Sequence, residues 1–129
     1  MTPEQFFKSV IGRPYALGEL GPDAFDCWGL VRHYYRTMRG MDLPVVDAER
    51  TLAIARAFSN NAERDNWVEV WHPAEGDAVL MGQARRPHHV GLWLGGGVLH
   101  AVEGAGVIYT TAPMLRFGGW NVIGYYRHT

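Results

Sequence analysis

The chain has 129 residues, 47% of them hydrophobic, enough for one domain with its own core and too few for a second. Lys and Arg number 12 against 13 Asp and Glu, so the basic footprint required for gripping a phosphate backbone is missing and nucleic acid is not an expected partner. A single cysteine excludes an intrachain disulfide and zinc sites built from several thiolates.

The start, Met1-Thr2-Pro3-Glu4-Gln5, lacks the basic-then-apolar pattern of a secretion signal, and no stretch approaches the roughly 18 apolar residues of a membrane span. Neither ordinary secretion nor a membrane is expected, and a single domain over residues 1–129 is. Residues 3–10 predict a short amphipathic helix with Thr2 and Gln5 at capping-box spacing and Phe6, Phe7 and Val10 on its apolar side. Gly18, Gly21 and Pro22 make 15–25 an irregular loop that delivers the chain to Asp26. From Cys27 the apolar residues Leu30, Val31, Tyr34, Tyr35 and Met38 recur at helical spacing, with Asp26 as N-cap and Gly40 as stop. A further helical pattern covers 47–58 and ends in Ser59-Asn60-Asn61.

Beyond Trp67 the chain turns rich in Val, Trp, Tyr and Gly. Strands are predicted near 67–72, 77–82, 89–94, 97–102, 107–110 and 122–127. Helices first and strands afterwards predict an α+β domain on an antiparallel sheet.

Cys27 as the first residue of a helix sits where unpaired backbone N–H groups and the positive end of the helix dipole favour a thiolate. Such placement lowers a cysteine pKa from about 8.5 into the range of roughly 3.5 to 7.5. The same N–H groups can stabilise an oxyanion after attack on an amide carbonyl. The plain alternative is a cysteine that merely begins a core stripe. Asp26 read on its own is a simple N-cap.

A nucleophilic thiol needs a base, and histidine serves best near neutral pH. The stretch from His88 through Gly95-Gly96-Gly97 to Val102 reads as a hairpin. If Gly95 and Gly96 form a two-residue loop, Leu94 pairs with Gly97 and His100 falls opposite Gly91, one diagonal step from His89. His89 and His100 then share a face and can bond, with His100 orienting His89; a three-residue loop would separate them. His88 points the other way by strand alternation and is expected at the rim, while His33, His72 and His128 have no distinguishing context. Metal ligation by His88, His89, His100 and Glu103 is the weaker alternative, because adjacent strand residues diverge and no ligand pair sits one helical turn apart. No metal and no cofactor are expected.

The ordered motifs Asp26-Cys27-Trp28-Gly29-Leu30-Val31, His89-Val90-Gly91-Leu92-Trp93-Leu94-Gly95 and Leu99-His100-Ala101 resemble the NlpC-type cell-wall peptidases. Pro14-Tyr15, Leu43-Pro44 and Gly76-Asp77-Ala78-Val79 add to the likeness, which extends from Tyr15 to Tyr126. The resemblance implies a papain-like α+β fold with N-terminal helices packed on a central antiparallel sheet. It also implies a Cys27–His89–His100 triad acting on γ-D-glutamyl bonds of peptidoglycan stem peptides, with Tyr15 and Asp26 at the substrate cleft.

Trp28 departs from the common motif, which has serine after the cysteine at a position associated with the substrate pocket. A bulky residue there resembles the phage-tail branch of the family. That branch implies tail-tip proteins as partners and a place in the virion tail or in the cytoplasm of a lysogenic bacterium. It also raises a second reading, an assembly or adaptor protein that keeps the fold with little catalysis, using aromatics such as Trp93, Trp120, Tyr125 and Tyr126 as a contact surface. Another amide or acyl transfer by the same residues is a third.

Overall fold

A computed structural model describes residues 1–47, 51–58 and 66–129. The first helix, α1 (Pro3–Val10), begins with a reciprocal cap: the Gln5 N–H donates to the Thr2 hydroxyl at 3.1 Å, and the Thr2 N–H donates to Gln5 Oε1 at 2.8 Å. Helix α2 (Cys27–Arg39) starts at an extended Asp26 and closes at Gly40. Helix α3 (Thr51–Ala57) falls within the predicted 47–58 segment; residues 48–50 and the predicted stop at Ser59-Asn60-Asn61 lie outside the described residues.

Six strands follow: β1 (Trp67–Val70), β2 (Ala78–Gln83), β3 (Arg86–Leu94), β4 (Gly97–Val102), β5 (Gly106–Thr111) and β6 (Asn121–His128). They form one sheet in the order β1-β6-β2-β3-β4-β5, with every neighbouring pair antiparallel. Strand β3 starts three residues earlier than predicted, because Arg86 pairs with Gln83 across a tight turn. A four-residue helix, α4 (Ala112–Leu115), was not anticipated; so short an element has no periodicity to read.

The sheet is covered on both sides, which explains why the inner strands are buried along nearly their whole length. On the helix side, Leu30, Val31, Tyr34 and Tyr35 of α2 pack with Leu80, Val90, Leu92, Leu99 and Ala101. On the other, Val79, Met81 and Val98 form a smaller core with Leu115 and Trp120. Trp120 is therefore a core residue rather than part of an exposed contact surface, and Trp93, Tyr125 and Tyr126 are half-buried.

Two devices hold the sheet where the site forms. Gly95 and Gly96, at φ 57° and 81°, make a two-residue turn that pairs Leu94 with Gly97 and Leu92 with Leu99. At β6, Arg127 forks onto buried Asp77 through contacts of 3.0 and 2.8 Å, and Asp77 also accepts the Ala74 N–H. This gives the Gly76-Asp77 motif a structural task at the start of β2.

Candidate active site

Asp26 ends the irregular loop with both carboxylate oxygens committed to backbone. Oδ1 accepts the Gly29 N–H at 2.6 Å and Oδ2 accepts the Gly18 N–H at 2.9 Å. The residue is buried, and burial raises its pKa against the lowering pull of those two N–H groups. Contrary to the expected place at the substrate cleft, Asp26 is absent from the cleft lining, and its observed task is to cap α2 and hold the loop against it. The capped Gly29 N–H is no longer available to a ligand, so the N–H groups left near the thiol are those of Cys27 and Trp28, joined by the Val90 N–H from β3.

Cys27 is 4% exposed. The helix-start argument predicts a lowered pKa; the structure reverses the direction. Burial pushes the thiol up to about 12, the Asp26 charge adds to the rise, and the three N–H groups counter it only in part. Desolvation outweighs the helix end because the sulfur lies against the sheet rather than in solvent.

The Val90 N–H at the sulfur places Cys27 beside β3, one residue from His89. The glycine turn carries β4 back along β3 in the register that brings the two histidines together: His89 Nε2 lies 2.8 Å from His100 Nδ1. Gly91 makes this approach possible, since a Cβ there would sit 3.0 Å from the His100 Cβ and 2.4 Å from the Val98 side chain.

Beyond His100, its Nε2 lies 2.9 Å from the Thr110 hydroxyl on β5. Trp120 stacks on His89 with ring centroids 4.6 Å apart and meets His100 edge-on at 5.5 Å. Both rings are almost wholly buried. His89 is held well below its ordinary pKa by burial, then by His100 and Arg86, and burial lowers His100 from 6.5 to about 4. Burial thus favours the neutral form of all three groups, the Cys27 thiol and the two imidazoles.

Cys27 and His89 open on a cleft of about 590 Å³, which is also lined by Tyr15, Leu17, Ile54, Arg85, Arg86, His88, Ala101 and Glu103. Tyr15 lies where the resemblance implied. Its hydroxyl is pushed up to about 12, mainly by burial, with Cys27, Asp26 and Glu103 adding and Arg86 opposing. His88 lines this cleft rather than standing off at a solvent rim, and its buried Nδ1 has no hydrogen-bond partner among the described residues. Arg86 is paired to Glu103 at 2.9 Å across the cleft wall.

Trp28 is the correction. It is fully buried and absent from the cleft lining; its indole N–H donates to the Pro44 carbonyl at 2.8 Å, and its ring packs on Phe58 and Trp67. On α2 it turns away from Cys27 into the core, so it anchors the segment at Leu43-Pro44 instead of lining a substrate pocket. The alternative metal set is not assembled either, since His89 and His100 direct nitrogens at each other. Among the described residues no three His, Cys, Asp or Glu side chains form a metal-holding group.

Sequence reasoning missed Thr110, Trp120 and the Arg86–Glu103 pair as parts of the site. Thr110 was recoverable in principle from the β4–β5 register, which sets it opposite Val98 and diagonal to His100. Trp120 carried no local signal, being brought in by the loop before β6.

The structure thus sets a helix-start thiol near a His–His pair on the antiparallel sheet of an α+β fold. Residues 12–116 match the NlpC/P60 family, and the chain belongs to it. It is 33% identical over 97 residues to "Tail tip assembly protein K" of Escherichia phage N15, covering 70% of this chain and 37% of that protein. It is 30% identical over 99 residues to "Protein P54" of Enterococcus faecium, covering 72% of this chain and 16% of that one. The chain thus spans well under half the length of either relative.

Among solved structures, the NlpC/p60 domain of the peptidoglycan hydrolase SagA superposes with a TM-score of 0.62 at 23% identity, covering 98% of this chain and 94% of that one. NlpC1 from Trichomonas vaginalis superposes with a TM-score of 0.69 at 20% identity over 96% of this chain and 42% of that one. These likenesses establish the shared fold.

Proposed function

We propose that the chain is a cysteine endopeptidase that hydrolyses γ-D-glutamyl amide bonds in peptidoglycan stem peptides, working with the tail-tip proteins of a phage or prophage. The observation that carries this reading is the opening of Cys27 and His89 onto one cleft, with His100 bonded behind His89. Family membership supports it, and the similarity to a tail tip assembly protein supports the tail setting.

In the mechanism, His89 Nδ1 takes the Cys27 S–H proton as the sulfur attacks the carbonyl carbon, forming a C–S bond and an oxyanion. The Cys27 and Trp28 N–H groups, already near the sulfur, stabilise that oxyanion. The His89 imidazolium then gives its proton to the leaving amine nitrogen as the C–N bond breaks, leaving a thioester. Water attacks the thioester, passing one proton to His89, which returns it to the departing sulfur. Burial favours the neutral pair, so in this mechanism the proton moves to His89 as the sulfur attacks.

A γ-linked D-glutamate keeps its α-carboxylate free beside the scissile bond. Arg85, Arg86 and His88 on the cleft wall supply cationic and N–H partners suited to that anion. Tyr15 faces the same space. The second reading, an assembly protein with little catalysis, draws on the deep burial of Cys27.

Incubating purified protein and Cys27→Ala with defined muropeptides, with products read by mass spectrometry, separates the two. Cleavage at the D-glutamyl bond by the unsubstituted protein alone is expected; no cleavage by either protein across pH and substrates would favour the assembly role.

A further inference from the structure

We infer that Thr110 is a positioning residue that sets the tautomer of both histidines, its Oγ1 accepting a hydrogen bond from the His100 Nε2–H so that His89 presents a bare Nδ1 to Cys27. This inference rests on the reading of His89 as the base.

A short chain of hydrogen bonds runs from His89 through His100 to the half-buried Thr110 hydroxyl, and its protons can be counted. Between His89 Nε2 and His100 Nδ1, at 2.8 Å, there is room for one hydrogen. His89 has one other ring nitrogen, Nδ1, and it must be unprotonated to receive the Cys27 proton. The single proton of neutral His89 must then lie on Nε2 and be donated to His100 Nδ1. His100, also neutral, must carry its own proton on Nε2, where the partner at 2.9 Å is Thr110 Oγ1.

The opposite polarity is chemically complete as well. A Thr110 hydroxyl donating to His100 Nε2 would put the His100 proton on Nδ1 and the His89 proton on Nδ1, the nitrogen that receives the Cys27 proton in the proposed mechanism. His89 could not then act as a base. Which way the hydroxyl bond points thus decides whether the site can work.

Burial makes the choice costly to leave open. His100 has no exposed surface, and Trp120 packs edge-on against its ring at 5.5 Å. An N–H left unpaired there costs more than an unpaired ring lone pair. Removing the Thr110 oxygen therefore drives the His100 proton to Nδ1, the inactive arrangement. The β4–β5 register, with Val98 opposite Thr110 and His100 opposite Ile108, holds the hydroxyl on the His100 side of the sheet.

The test is ¹⁵N NMR of histidine-labelled protein at pH 7, which reports which nitrogen of each neutral ring carries the proton, alongside muropeptide cleavage by the same samples. In the unsubstituted protein and in Thr110→Ser, His100 and His89 are expected to be protonated at Nε2. In Thr110→Val both are expected to shift towards Nδ1 protonation, with kcat down at least tenfold and KM little changed, and Thr110→Ser is expected to restore kcat. A Nδ1-protonated His100 in the unsubstituted protein, a measurement that needs no variant to fold, would overturn the inference; so would unchanged tautomers in Thr110→Val. Expected tautomers with no cleavage by any sample would sustain the Thr110 assignment and count against the peptidase reading alone.

Discussion

His89 Nε2 and His100 Nδ1 meet at 2.8 Å with Trp120 packed against both rings. Their closeness is a consequence of strand register, and their burial is a consequence of packing from elsewhere in the chain. Both bear on how the site responds to pH.

Burial keeps both histidines neutral well below pH 6.5, so the folded state binds fewer protons than the unfolded chain as acid is added. The stability they contribute is present above the unfolded pKa near 6.5 and is lost as pH falls towards about 4. For His100 alone the span corresponds to at most about 3 kcal/mol. Thermal melts at pH 7, 5.5 and 4 should show a falling Tm, and His100→Asn should flatten that slope; a Tm independent of pH in this window would contradict the burial-driven shift.

With the thiol pushed up to about 12, alkylation of Cys27 in the free protein should keep accelerating through pH 10 without a plateau. Iodoacetamide labelling followed by mass spectrometry from pH 6 to 10 checks this. A plateau below pH ~8.5, the ordinary thiol pKa, would mean that the helix end prevails over burial.

Trp28→Ser restores the residue common in the family but removes a fully buried indole. The expected cost is about 3–5 kcal/mol, read as a lower midpoint in chemical denaturation. Trp28→Phe, which loses only the Pro44 contact and some volume, should cost less and leave KM for a stem peptide unchanged. A KM shift without loss of stability would return this position to the substrate pocket.

Arg86→Gln removes one of the two arginines that line the cleft, the one that also pairs with Glu103. A charge-assisted contact is worth about 1.5–3 kcal/mol, so KM for a muropeptide with a free α-carboxylate should rise roughly tenfold or more while kcat changes little. Amidation of that carboxylate in the substrate should produce a similar loss in the unsubstituted protein and no further loss in the variant. Steady-state kinetics on the two substrates decides it.

The features readable from sequence are those fixed over a few residues. The Thr2–Gln5 cap, the Asp26–Gly29 cap and the two-residue glycine turn each depend on neighbours within one turn of chain. From the last of these the pairing of His89 with His100 follows by counting. Helix-then-strand order likewise determined the α+β class, and the ordered motifs determined the family.

Tertiary structure alone decided the insertion of β6 between β1 and β2, the core position of Trp28, the Thr110 contact behind His100 and the Trp120 cover. It also decided the direction of the Cys27 shift. A local pattern can state that a thiol begins a helix, but desolvation depends on every segment packed over the sulfur. Strand β3 reaches it through the Val90 N–H, and the loop at Tyr15 and helix α3 line the same cleft from parts of the chain far apart in sequence, beyond the range of any spacing rule.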